Sequence, residues 1–385
     1  MKKMIFFVVL LALLPDFIIW QRYIAGIHPV LSLLWWMPTL GLLASWICLK
    51  VNYHHNLSIR LLNGFLLCFV FPKLLFAIIQ YLHPLPALIV SLALLSVFIY
   101  GLTLGWRRLK VRQVSFASPD LPEAFEGYRI LHFSDFHLGT FGPRSSFIRQ
   151  VVRAANRQHV NLMAFTGDLI NNKADELLPY MQTLSSLRAT DGVFSILGNH
   201  DYSEYGNDRS QAYRERNMRL LVERQKIMGW HLLRDEHHAI WRDDDHIQLL
   251  GVENISRPPF QMKGNLRRAM QGTTGQEFRI LLSHDPNHWE MEVQGKTSIQ
   301  LMLAGHTHGA QIRLGRLTPA RLAFRYWGGQ ALRGGQMLYV SLGLGGAFPF
   351  RLGAWPELSV ITLRRAPSAE SGDALAKTEN RGASR

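Results

Sequence analysis

Four aspartates, an asparagine and five histidines stand where short apolar runs give way to polar loops. The run from Arg129 ends in Asp135 and His137, the run from Asn161 in Gly167 and Asp168, and the run from Val193 in Asn199, His200 and Asp201. The run from Phe278 ends in His284 and Asp285, and the run from Leu301 in His306 and His308. Carboxylate, amide oxygen and imidazole, with no thiolate among them, are ligands for borderline and hard divalent cations. A carboxylate shared by two cations can hold them ~3.5–4 Å apart, the separation at which a metal pair activates water for attack on phosphorus. Asp168 is the best bridge.

Each of these residues has a plain structural use when taken alone. Aspartate after a strand is commonly a turn residue or helix N-cap, and a single histidine is commonly a satisfied polar group. Turn chemistry does not account for five such loops in the order D-x-H, G-D, G-N-H-D, S-H-D and G-H-T-H. Apolar runs of four to seven residues stopped by polar loops read as buried strands, and open α/β sheets present ligands where strands end. Five such ends can converge.

These blocks resemble the calcineurin-like metallophosphoesterase superfamily. The closing segment from Gly343 to Arg351, followed by Pro356, Glu357 and Leu358, resembles its bacterial branch, whose members often carry an N-terminal membrane segment. The resemblance covers about residues 125 to 363. It implies a four-layer α/β/β/α sandwich and two divalent metal ions, with Mn, Zn, Fe and Mg all admissible. Carried over by position, it implies that Asp135, His137, Asp168 and His308 bind the first metal, and that Asp168, Asn199, His284 and His306 bind the second. His200 resembles the histidine that contacts the scissile phosphate and protonates the leaving group.

The chain departs from the phosphoprotein phosphatase branch after its Gly-Asp block. The aspartate that orients the histidine there is matched by Asn171, and the next residue is Asn172 rather than arginine. An amide can hydrogen-bond an imidazole but cannot stabilise the imidazolium by charge. A protein serine/threonine phosphatase is therefore not expected, and Asp201 is the remaining carboxylate that could assist His200.

These loops lie in the second part of a 385-residue chain with 48% hydrophobic residues and a formal charge of +14. The averages conceal a split. Residues 4 to about 105 are almost free of charge, and four apolar stretches can be drawn there: Met4 to Trp20, Pro29 to Leu49, Leu61 to Leu82 and Pro86 to Trp106. Each approaches the ~20 residues a spanning helix needs. Pro15 and Asp16 interrupt the first, which lacks a small-x-small cleavage site and reads as a retained anchor. Lys2, Lys3, Lys50, Arg60 and the cluster Arg107, Arg108, Lys110 and Arg112 place both termini in the cytoplasm by the positive-inside rule. Cys48 and Cys68 both fall in apolar stretches, so no disulfide framework is expected. Asp16 and Lys73 are the costly residues within the spans, where such groups mark a pairing or a pathway.

The expected organisation is an all-α transmembrane region over 1–106, a basic linker over 107–124, an α/β phosphoesterase domain over 125–364 and a disordered tail over 365–385. Helices are expected at Ser145 to Gln158, at Asp175 to Leu187 and within Tyr202 to Met228, the last carrying Arg209, Arg214, Arg216, Arg219 and Arg224. That arginine face either overhangs the site or is simply solvated. Arg351 is a candidate substrate contact, because a guanidinium fork matches phosphate oxygens.

The function these features imply is hydrolysis of a phosphodiester or pyrophosphate bond by an integral membrane enzyme of bacterial inner-membrane type, with its catalytic domain in the cytoplasm. Tethering favours a lipid- or nucleotide-linked substrate, and the family resemblance includes enzymes acting on UDP-diacylglucosamine. Phosphomonoester hydrolysis with the same metals, and a non-catalytic regulatory or transport role, are the competing readings. Anionic lipid is the expected partner of the basic cluster. No nucleic-acid motif is present.

Overall fold

The computed structural model describes residues 2–51, 55–142, 145–206, 208, 210–258, 262–346 and 348–367. They form two compact units, one of residues 1–108 with 347–352, the other of 109–346 with 353–385. The part of the expected tail from 368 onward lies outside the described residues, as does Arg209.

The larger unit holds two six-stranded sheets. In chain order the strands are β1 (Lys110–Ser118), β2 (Arg129–Phe133), β3 (Leu162–Thr166), β4 (Val193–Ile196), β5 (Trp230–Leu232) and β6 (Glu236–Arg242), then β7 (Asp245–Gly251), β8 (Phe278–Leu282), β9 (Leu301–Ala304), β10 (Gly329–Arg333), β11 (Gln336–Val340) and β12 (Glu357–Arg365). The first sheet runs β1-β12-β2-β3-β4-β5 and the second β10-β11-β9-β8-β7-β6. Strands β2 to β5 are mutually parallel, as are β7, β8, β9 and β11. Parallel strands covered on both faces read as continuous apolar runs, and this makes β2, β3, β8 and β9 conspicuous in the sequence.

Alternate residues of these runs serve different layers. Ile130, Leu162, Ala164 and Ile196 of the first sheet share one core with Ile247, Leu249, Ile280, Leu282 and Leu303 of the second, so the sheets pack face to face. The opposite side of the second sheet, through Leu250, Leu281, Met302 and Leu338, packs on Trp289, Val293 and Leu266. On the first sheet, Phe133 and Phe165 meet Phe136 and Trp230. The result is a layered α/β sandwich, as expected from the sequence.

Two local expectations are corrected. Residues 107–124 were expected to form a linker, yet they contain the nine-residue strand β1. It is an edge strand buried only near its end, at Phe116 and Ser118, so its apolar period is nearly silent. Its partner is β12, from the far end of the chain. The helix expected from Asp175 to Leu187 is mostly a 3-10 segment, Ala174–Tyr180, followed by one short α-helical piece at Met181–Leu184. Pro179 lacks the N–H that an α-helix would require there. By contrast, Ser146–Asn156 is helical and buries Phe147, Ile148, Val151, Val152 and Ala155.

The smaller unit comprises helices α1 (Lys2–Ile19), α2 (Pro29–Lys50), α3 (His55–Phe65), α4 (Phe71–Ile79) and α5 (Pro84–Thr103). Among the described residues three stretches are long and apolar enough to cross a membrane, Pro29–Lys50, Asn56–Ile79 and Pro84–Arg107, where four were expected. The stretch not counted is α1, an 18-residue helix that carries Lys2, Lys3 and Asp16. Asp16 is fully buried within this unit. Lys73 Nζ lies 2.6 Å from its Oδ1, Thr39 donates to its Oδ2, and the same ammonium sits 4.1 Å from the ring centre of Trp35. The two residues flagged as costly are thus one buried ion pair, as the pairing reading expects.

Candidate metal centre

Asp135, Asp168, Asn199, His284 and His306 each follow the carboxyl end of a parallel strand, β2, β3, β4, β8 and β9 in turn. Strand ends of both sheets meet here, and the side chains form two groups. Asp135, His137, Asp168 and His308 make one; Asp168, His284 and His306 make the other, so Asp168 belongs to both. Within the first, His137 Nε2 is 3.4 Å from Asp168 Oδ2 and His308 Nε2 is 3.4 Å from Asp135 Oδ1. Within the second, His284 Nε2 is 3.2 Å from Asp168 Oδ2, 3.2 Å from His306 Nδ1 and 3.1 Å from Asn199 Oδ1.

The backbone bends sharply to achieve this. Asp135, His137, Asp168, His306 and His308 all have φ between 49° and 72°, the left-handed region that non-glycine residues seldom occupy. Amides hold the bends: His306 N–H donates to the Asp135 carboxylate and His200 N–H to Asp168 Oδ1 at 2.8 Å. Asp201 accepts N–H bonds from Gly198, Asp168, Leu169 and Ile170, fastening the loop after β4 to the loop after β3. Gly343, at φ 73°, passes so close that a Cβ there would lie 2.7 Å from Asp135 Cβ. Leu344 and Gly345 then donate to the Ser134 and Asp135 carbonyls. The glycines of the closing segment therefore brace Asp135.

The electrostatics are those of crowded electron-pair donors. His284 Nδ1 faces the Thr166 carbonyl at 2.7 Å, which turns Nε2 toward the Asp168 and Asn199 oxygens. Burial opposes protonation of His284, but the Asp168 carboxylate overrides it and pushes the imidazole up to about 10. His137 is raised in the same way, against its burial, by Asp168 and Asp135. Burial would lift Asp168, yet His284 and His200 hold it well below the usual carboxylate range. Both ring nitrogens of His137 are buried, and among the described residues neither makes a well-formed hydrogen bond, Nε2 only approaching Asp168 Oδ2 at 3.4 Å. Buried lone pairs aimed at one another and at carboxylate oxygens fit a pair of divalent cations, which would satisfy them all.

His200 is placed differently from the expectation based on Asn171. Its Nδ1 meets the backbone carbonyl of Asn171 at 2.9 Å, while the Asn171 side chain donates to Thr140 Oγ1. Asp201 does not assist it, because its oxygens are committed to amides. Burial pushes His200 down to about 4, with the charge of Asp168 only partly offsetting it. Burial and the neighbouring Asp168 push Asp201 up to about 7 against its four amide bonds.

Arg351 is buried and groups with the helical unit, where its backbone N–H donates to the Gly101 carbonyl. Its candidacy as a phosphate contact rests on its chemistry alone. The arginine helix begins at Gln211, capped by Ser210; Arg224 pairs with Asp175, and Arg216 and Arg219 are exposed. One contact of the centre carries no signal in the sequence. Tyr205 packs on His200 with ring centres 4.3 Å apart and accepts a hydrogen bond from Asn199 Nδ2 at 2.8 Å.

Residues 128–310, which contain every position of the two groups, match the calcineurin-like phosphoesterase family. The chain is 27% identical over 275 residues to a transmembrane protein with metallophosphoesterase domain from Danio rerio, covering 70% of this chain and 60% of that one. Its Bos taurus counterpart is 28% identical over 251 residues, 64% of this chain and 55% of its own length. The uncharacterized metallophosphoesterase YkuE of Bacillus subtilis is 29% identical over 254 residues, 63% of this chain and 82% of its own. The matched region thus spans little more than half of the two vertebrate relatives. By this match and these ligand groups, residues 128–310 carry a calcineurin-like metallophosphoesterase domain, which follows a region of three apolar helices.

Proposed function

We propose that this enzyme hydrolyses a phosphodiester or pyrophosphate bond in an amphiphilic, lipid- or nucleotide-linked substrate at the cytoplasmic face of a membrane. The observation that carries this reading is the sharing of Asp168 between two ligand groups. Asp135, His137, Asp168 and His308 would hold one cation, and Asp168, Asn199, His284 and His306 the other. When bound, such a pair supplies an activated water and the positive charge that offsets charge developing on the phosphoryl oxygens. The protein contributes the positioning. Asp201 fixes the Asp168 loop, Thr166 sets the His284 tautomer, and Asn171 holds His200 by Nδ1 so that Nε2 is left for the substrate.

His200 bears on which bond breaks. Its Nδ1 partner is a neutral carbonyl, so the imidazolium needed to protonate an alkoxide is poorly supported. A departing phosphate is a far weaker base than an alkoxide and needs no such acid. The site therefore favours a pyrophosphate, of which UDP-diacylglucosamine is one membrane-borne example. Orientation rests on Lys50 and Arg60 beside one interhelical loop and on Arg107, Arg108, Lys110 and Arg112 after α5, against a loop at His83 free of Lys and Arg.

The test uses the full chain in detergent with manganese, comparing a UDP-linked pyrophosphate, a bis-aryl phosphodiester and an aryl monoester. The proposal expects kcat/KM to fall in that order. Preference for the monoester would move phosphomonoesterase to first place, and inactivity toward all three in a chain loaded with two equivalents of metal would favour a binding role.

A further inference from the structure

We infer that Tyr205 is a positioning residue of the metal centre, acting through Asn199 and His200; this rests on the metal reading above. An asparagine ligand has a weakness that aspartate lacks. Its amide can turn over and present two N–H groups where a cation needs an oxygen. Here the Tyr205 hydroxyl accepts from Asn199 Nδ2 at 2.8 Å. That bond keeps Asn199 Oδ1 on the other side, 3.1 Å from His284 Nε2 and facing the second ligand group. Asn199 Nδ2 and Oδ1 are thus told apart by one phenol.

The same side chain limits His200. The Tyr205 ring lies 4.3 Å from the imidazole at 31°, and His137 meets that imidazole edge-on at 4.7 Å. With Nδ1 on the Asn171 carbonyl, the ring is held on two sides and at one nitrogen. Tyr205 is half-buried, outside the apolar cores of the fold, so its replacement leaves the sheets intact. It follows Asn199 by six residues, a spacing that matches no ligand pattern.

The experiment measures manganese binding and its electron paramagnetic resonance spectrum in the full chain, for wild type, Tyr205→Phe, Asn199→Ala and the double variant. Partners that orient a ligand typically contribute about 10–100-fold in metal affinity. Tyr205→Phe keeps the ring and loses the hydroxyl, and it should weaken the second manganese by about 10-fold, replacing part of the spin-coupled signal with a single-ion one. In the Asn199→Ala background it should have no further effect, because the phenol acts through that amide. Tyr205→Leu should lower kcat beyond Tyr205→Phe at equal metal occupancy, since only it removes the ring from His200. Undiminished affinity for the second manganese in Tyr205→Phe, or additive losses in the double variant, would overturn the inference. A wild-type chain that never takes up a manganese pair would overturn the metal centre itself.

Discussion

Both units of this protein bury carboxylates, and they neutralise them in opposite ways. In the helical unit, Asp16 has a lysine at 2.6 Å and a threonine hydroxyl. In the larger unit, Asp135 and Asp168 are equally buried, but the groups around them are imidazoles, amides and each other. A buried charge must be compensated or it is expelled. The first site is complete with its own residues. The second gathers carboxylates and imidazoles with no Lys or Arg in either ligand group, so the divalent cations proposed for it would supply the compensating charge. A charged cluster that the chain has not neutralised for itself is the one to suspect of binding a cation.

The strongest way to break this contrast is to remove the shared carboxylate. Asp168→Ala should reduce turnover by on the order of 10³-fold or more, and a colorimetric metal assay should show the manganese pair lost while the circular dichroism stays native. Retained turnover with two bound metals would end the bridging assignment.

The helical unit supplies the converse. Lys73→Met leaves Asp16 uncompensated and should lower stability in detergent by about 3–5 kcal/mol, whereas pairing it with Asp16→Leu should recover most of the loss. Equal destabilisation by the single and double variants would mean that the pair is not self-contained. The smallest effect concerns the proton. Because His284 is pushed up to about 10 in the metal-free protein, it is charged at neutral pH and must lose its proton to bind a cation. Manganese affinity should therefore rise up to about tenfold per pH unit below that value, with proton release visible by calorimetry in buffers of different ionisation enthalpy. Affinity that is flat with pH would show that another group, or none, holds the proton.

Much of the centre was legible in the sequence for a definite reason. Candidate ligands placed at the ends of doubly covered strands announce themselves twice, by residue type and by the uninterrupted apolar run before them. Asp168 at the end of β3 is the clearest case. What was hidden depends on pairings between distant segments. β1 looked like a linker because an edge strand with one end buried carries little period, and the Asp16–Lys73 contact joins helices that no local pattern connects. Asn171 misled for another reason: its side chain was weighed, while its backbone carbonyl makes the contact with His200. Tyr205 gave no signal, since an aromatic residue six positions past a loop is unremarkable until the loop folds back on it.

The order of the first sheet also sets a clock. β12, the last strand, lies between β1 and β2, and Arg112 meets Glu357 across 245 residues of chain. At about 5–20 residues per second of synthesis, roughly 10–50 seconds separate the two partners. Throughout that interval β1 and β2 must leave a strand-wide gap, and Asp135, at the end of β2, lacks the brace that Gly343 to Gly345 provide. The ribosome must deliver the segment from Gly343 through β12 before the loop of Asp135 is held in place. A chain truncated before β12 would expose two open strand edges and an unbraced carboxylate, so synthesis through β12 is itself the step that licenses this centre to form.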